Sequence, residues 1–194
     1  MKKTILFVLL CVLGLSSGFA QNDSEKTAAV HVSFIPPLST HGGQAGDYTN
    51  GVSFNILAGI SKNEKYFTFG GLGNIIRNDA NGVQFAGLFN TIGNDAKGLQ
   101  FAGLFNTVRN DAYGIQFGGL LNRAGGYTNG LQFAGIANMA GDVSGFQFAG
   151  IANMARNVKG TQFGLINIAE SNDYPIGLLN IIKNGEMSVG VTYD

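Results

Sequence analysis

Tryptophan is absent from the 194 residues, cysteine occurs once and proline three times. Charge is scarce as well: 12 basic and 12 acidic residues cancel to a formal net charge of zero. A lone cysteine cannot close an intrachain disulfide, and with only two His it leaves little material for a metal centre. Few prolines and thirty glycines without a Gly-X-Y period exclude collagen. Balanced charge without a basic run gives no electrostatic footprint for nucleic acid. The 45% hydrophobic content is too high for a disordered chain. There is no Gly-x-Ser-x-Gly elbow, and neither His31 nor His41 has metal-ligand spacing. Gly70-Gly71-Leu72-Gly73 lacks the Lys and helix that follow a phosphate loop. The expectation is therefore no enzyme and no cofactor.

What is present begins with a leader. Lys2 and Lys3 precede an apolar core from Ile5 to Leu15, and the small residues of Ser16–Ala20 follow, with Gly18 three positions before a cut after Ala20. That is the pattern of a secretory signal peptide. The core is too short to cross about 30 Å of hydrocarbon. Cleavage would remove Cys11, so an exported chain starting at Gln21 would have no disulfide to help hold its fold. Without Lys2 and Lys3, 10 basic residues face 12 acids.

The rest is dominated by a repeat. Gly82-Val-Gln-Phe-Ala-Gly-Leu-Phe-Asn90 recurs at Gly98–Asn106, Gly114–Asn122, Gly130–Asn138, Gly145–Asn153 and Gly160–Asn167, the leading glycines lying 16, 16, 16, 15 and 15 residues apart. Degenerate copies at Tyr66–Asn74 and Ile176–Asn180, and a weaker one at Gly51–Phe54, extend the series to about eight units over residues 51–184. Units this short exclude helical repeats, and their Gly content opposes helix. Strands separated by Asn, Gly and Asp turns remain.

Two all-β architectures accommodate such units. One is a β-solenoid of about eight 15–16-residue coils with N-terminal capping strands; the alternative is an up-and-down antiparallel β-barrel with one strand per unit. The turns show no alternation between odd and even units, as the two ends of a barrel would require. The unit at Gly160 also lacks one residue after Phe163. In mid-strand that deletion would turn later side chains to the opposite face; at a corner it costs little. Both features favour the solenoid, with the Ala-Gly pair as its corner.

In a solenoid, like residues stack. Phe69, Phe85, Phe101, Phe117, Phe133, Phe148 and Phe163 are expected to form an interior aromatic ladder, and Leu72, Leu88, Leu104, Leu120, Ile136, Ile151 and Leu165 a second interior apolar row. Burying each would contribute about 1.5–3 kcal/mol. The glycines at 71, 87, 103, 119, 135, 150 and 164 would permit the corner, with positive φ open to them. Asn74, Asn90, Asn106, Asn122, Asn138, Asn153, Asn167 and Asn180 would stack their amides along the axis, and the Gln series at 84, 100, 116, 132, 147 and 162 offers a second row. Stabilising ladders are the expected role of these amides, ahead of a ligand strip. Asp79, Asp95 and Asp111 occupy one turn in three successive units and are the only candidates for a cation site; solvated turn residues is the stronger reading. Positions 97, 113, 129, 144 and 159 vary between units and are expected to face outward.

Residues 21–50 read as a leader segment and capping strand, with Val30–Ile35 alternating before Pro36-Pro37. Residues 185–194 read as a terminal strand that stops in mid-pattern, as a truncated chain would. The Gly-x-Gln-φ-(Ala)-Gly-φ-x-Asn units behind a signal peptide, with Pro37–Thr40 and Pro175–Asn180, resemble a family of bacterial surface-repeat proteins. The resemblance covers about Val30 to Gly185. It implies an exported protein at the cell surface or outer membrane of a Gram-negative-type bacterium (or in its periplasm), and supplies no catalytic residue or ligand. The expected role is a non-catalytic structural or adhesive module whose partner is an envelope or host surface component. A small outer-membrane barrel acting as pore or anchor is the alternative.

Overall fold

A computed structural model describes residues 25–184 and 188–189. The leader expected at 1–20, residues 21–24 and most of 185–194 lie outside the described residues. Strand β1 (Thr27–Ile35) is followed by β2 (Leu38–Ser39) and a 3-10 helix, Gly42–Asp47. Long and short strands then alternate. The first pairs are β3 (Thr49–Asn55) with β4 (Ala58–Ser61), β5 (Asn63–Gly70) with β6 (Gly73–Ile76), and β7 (Ala80–Ala86) with β8 (Phe89–Ile92). Next come β9 (Ala96–Ala102) and β10 (Phe105–Val108), β11 (Ala112–Gly118) and β12 (Leu121–Ala124), then β13 (Tyr127–Ala134) and β14 (Ala137–Met139). The last are β15 (Asp142–Ala149) and β16 (Ala152–Met154), β17 (Asn157–Phe163) and β18 (Ile166–Ala169), then β19 (Ser171–Ile176) and β20 (Leu179–Ile182), with β21 (Ser188–Val189) at the end.

Every long strand pairs in parallel with the long strands before and after it, and every short strand does the same, so two parallel sheets face each other. Like residues are in register: Gly98 with Gly114, Gln100 with Gln116, Phe101 with Phe117, Asn90 with Asn106. Each repeat is one coil of a β-solenoid. Parallel pairing between sequence neighbours overturns the up-and-down barrel, which needs antiparallel ones. Strand β1 pairs in parallel with β3 and extends the long-strand sheet ahead of the repeats, while the short β2 and β21 pair antiparallel at the two ends.

Within each long strand the period of two decides which residues can share the interior. Gln100 and Ala102 point in, so Leu99 and Phe101 point out. The Gln row is buried throughout, and Phe117 is 38% exposed against 3% for Gln116 beside it. The expected interior Phe and Leu ladders are therefore inverted. Phe69, Phe85, Phe117, Phe148 and Phe163 stack in register on the outside, as do Leu72, Leu88, Leu120, Ile136, Ile151 and Leu165 at the corner. Facing parallel sheets leave little width for rings, whereas amides repeated at the strand spacing of about 4.8 Å satisfy one another.

The apolar interior is built from small side chains, and its volume is shared between the sheets. Where the long strand contributes Ala80, Ala96 or Ala112, the preceding short strand contributes Ile76, Ile92 or Val108. Where the long strand carries Val143 or Val158, the residue before the turn is Ala140 or Ala155. Interchange of large and small keeps each layer filled at constant volume.

Glycine has two separate duties. The leading glycines (82, 98, 114, 130, 145 and 160) have φ between +79° and +139°, and a Cβ on Gly114 would lie 2.1 Å from the Gly98 carbonyl oxygen. The corner glycines do not use the positive φ open to them; a Cβ on Gly103 would instead meet the Gly87 oxygen at 2.1 Å. The missing residue after Phe163 falls between β17 and β18, so Phe148 still faces Phe163 and Asn153 still faces Asn167.

Candidate functional site

Two amide rows fill the polar half of the interior. The side-chain nitrogen of Asn74 donates to Asn90, Asn90 to Asn106, and so on to Asn180, at 2.8–3.0 Å. Asn55 extends the row at the N-terminal end, donating to Asn74 at 3.0 Å. Asn55 projects from the long strand into the space that Gly59 leaves open, since a Cβ there would collide with the Asn55 amide. The same nitrogens donate to the Phe carbonyls of the following coil, from Phe85 to Phe163, at 2.7–3.0 Å. Gln residues run the other way: Gln116 donates back to Gln100, Gln132 to Gln116, Gln147 to Gln132 and Gln162 to Gln147, at 2.6–2.8 Å. Opposed directions let the two rows of amide dipoles offset each other. The Gln row breaks once, where Gln84 turns its nitrogen to the Asn81 carbonyl at 2.9 Å. Amides spent on each other in this way are occupied as structure.

At the N-terminal end, the Gln column continues as Thr68, Ser53 and His31. Around it lies a buried polar cluster that sequence reasoning missed. His31 stacks on His41 at 4.9 Å and His41 on Tyr48 at 3.9 Å, while His31 Nδ1 lies 3.0 Å from Thr40 Oγ1. Glu64 accepts from Ser53 at 2.7 Å and from Asn50 at 3.2 Å. Burial, and then His41, push the His31 pKa down to about 4. Burial also lowers that of His41, against the Asn50 contact. The Glu64 carboxyl is raised by burial, against its hydrogen bonds. Ten residues apart, the two His gave no spacing signal; the hairpin-like β1–β2 return and the 3-10 helix bring them together. The cluster plugs the end of the stack, where burial disfavours the charged form of both imidazoles.

Asp79, Asp95 and Asp111 lie in one column at the turn edge, and each carboxylate is engaged. Asp79 accepts from Asn94 at 2.6 Å, Asp95 from the Asp111 N–H at 3.1 Å and Asp111 from the Tyr127 N–H at 2.7 Å. Their oxygens tie one turn to the next. Among the described residues, no group of three or more His, Cys, Asp or Glu side chains is placed to hold a metal ion.

The remaining feature is on the outside. Phe rings stack along the coils, with Phe85–Phe101, Phe101–Phe117 and Phe117–Phe133 centroids at 4.8, 5.1 and 4.8 Å. Beside them Ala102, Gly103, Gly118, Gly119, Ala134 and Gly135 form the floor of an open groove of about 500 Å³. The half-exposed Leu and Ile residues of the corner carry the apolar surface around to the short-strand sheet, where Phe89 and Phe105 stack at 5.6 Å. Lys97, Asn129 and Lys159 are exposed and Tyr113 and Ser144 partly so, with the Lys97 ammonium 5.6 Å from the Tyr113 ring. This apolar ridge, with the open groove running along it, is the candidate site. No family model matches the chain, and no curated protein or solved structure shows significant similarity to it.

Proposed function

We propose that this chain is a non-catalytic, exported repeat protein that serves a bacterial envelope as a structural or adhesive module through its outer surface. The observation that carries this reading is the inversion of the coil. Inside, the amides bond to one another; outside, the coils present the same apolar columns from one to the next. Repeat proteins commonly use such long regular faces to engage partners. The leader-like residues 1–20 and the resemblance to bacterial surface-repeat proteins support export to the cell surface, outer membrane or periplasm. The partner on this reading is an envelope or host surface component.

The test is expression of the full chain in a Gram-negative host, followed by fractionation and mass measurement. The expected product starts at Gln21 and is recovered from the envelope or periplasm. Full-length protein retained in the cytoplasm would overturn the proposal.

A further inference from the structure

We infer that the ridge formed by the Phe and Leu columns binds a lipid surface, with the solenoid axis lying along the membrane plane and the corner edge immersed among acyl chains. This rests on the reading that the outer surface is the working one, and it names the partner.

Area comes first. At about 200 Å² per Phe and roughly two-fifths exposure, seven rings leave on the order of 500 Å² in the open. That alone approaches the largest apolar patch usual on a monomer, about 300–600 Å². The corner Leu and Ile residues and the outward column of Val83, Leu99, Ile115, Leu131 and Phe146 enlarge it further.

Shape then separates lipid from a second copy. A flat face from one sheet would suit another flat face. Here the apolar columns come from both sheets and meet at a two-residue bend, making a ridge that a flat partner would cover on one side only. From Phe101 to the bend at Gly103 is about 7 Å of strand, and from the bend to Phe105 about the same. That suits the immersion of about 5–10 Å typical of interfacial elements.

The N–H groups of the corner are also prepared for a dry medium, in which donors must be satisfied within the protein. The Gly103, Leu104 and Phe105 N–H groups donate to Ala86, Leu88 and Leu88 of the preceding coil at 3.3, 2.8 and 3.1 Å, and the corresponding groups of Gly119, Leu120 and Leu121 do likewise. The Phe101 and Phe117 carbonyls are taken from inside by Asn90 and Asn106. Charge respects the same boundary. Between residues 80 and 169 the acids are Asp95, Asp111 and Asp142, all at the turn edge away from the ridge. Lys97, Lys159 and Arg123 lie at the margin, where long cationic side chains reach headgroups.

The test uses the chain without residues 1–20, mixed with neutral phosphatidylcholine vesicles and separated by flotation. The protein is expected to float with lipid, and a Leu104→Asp/Leu120→Asp double variant to show a bound fraction at least tenfold smaller at an unchanged melting temperature. A Leu120→Cys variant carrying a polarity-sensitive dye should shift to the blue on vesicles, while Asn94→Cys at the turn edge should not. This labelled pair decides the matter if the double variant does not fold. Monodisperse protein that stays at the bottom, or an unshifted dye at position 120, overturns the inference. So does a concentration-dependent dimer that Leu120→Asp dissociates and that does not float, since a second copy would then occupy the ridge. Because location in the cell plays no part in this assay, its failure leaves export standing, and cytoplasmic retention would leave lipid affinity standing.

Discussion

The Asn106 side-chain nitrogen donates to the Phe117 carbonyl at 2.8 Å, so a fully buried amide holds the backbone of a residue whose ring lies outside. The same nitrogen donates to Asn122 at 2.9 Å, and the Asn106 oxygen accepts from Asn90 at 2.9 Å. Each coil is thereby fastened to the next from within, and the ring above the carbonyl is left for other uses.

A reversed order of mutational cost follows. Asn106→Ala strands the Asn90 donor, the Asn122 acceptor and the Phe117 carbonyl, and is expected to cost about 3 kcal/mol or more. Phe117→Ala removes a ring already 38% exposed and should cost about 1–2 kcal/mol, against the 3–5 of a core phenyl. Urea denaturation of the two variants measures the difference; a costlier Phe117 would contradict the inverted coil.

Volume sharing across the interior gives a second expectation. Val108 and Ala112 pack in one cluster. Ala112→Val alone should destabilise by about 1–3 kcal/mol through overpacking, and Val108→Ala alone by a similar amount through a cavity. The double variant reproduces the small-large order of the later coils and should recover most of the loss. A double-mutant cycle checks it, and strict additivity would refute the shared volume.

Much of this was legible in the sequence, and the parts that were not have two separate causes. Glycine spacing of 15–16 residues, the non-alternating turns and the residue missing after Phe163 together fix a parallel stack. The Asn row was expected as a ladder because translation sets like above like. The inside was misread because Phe and Leu were ranked by hydrophobicity before the strand period was applied. Gln100 sits between Leu99 and Phe101, so the interior takes either the amide or the two apolar residues. The clue was variability: the position before Gln runs Val, Leu, Ile, Leu, Phe, Thr, and Thr161 is tolerated because that column faces out. His31 and His41 were unreadable because their meeting depends on the return of β2 and the 3-10 helix, which no spacing rule encodes.

The histidine cluster sets a pH dependence. His31 binds its proton near pH 6.5 when unfolded and only near 4 when folded, so the unfolded chain holds more protons between these values. Stability from this group is present above about pH 6.5 and is lost as pH falls toward 4, by on the order of 3 kcal/mol at most. Glu64 acts oppositely: its raised pKa favours the folded state at low pH, and that contribution fades as pH rises above 4.5. His31→Gln should flatten the acid limb of the stability profile, and Glu64→Gln should steepen it. Urea midpoints at several pH values between 4 and 7.5 measure both; an unchanged slope in the His31 variant would rule out its burial as a neutral ring.

The inversion itself is tested most directly by thiol accessibility, since Cys11 is the one cysteine and lies within residues 1–20. In the chain without residues 1–20, Phe117→Cys and Gln116→Cys are placed on adjacent residues of β11 and reacted with a maleimide under native conditions. Rapid labelling at 117, and labelling at 116 only after denaturation, is the predicted result. Protection at 117 with free reaction at 116 would contradict it and return the phenyl rings to the core.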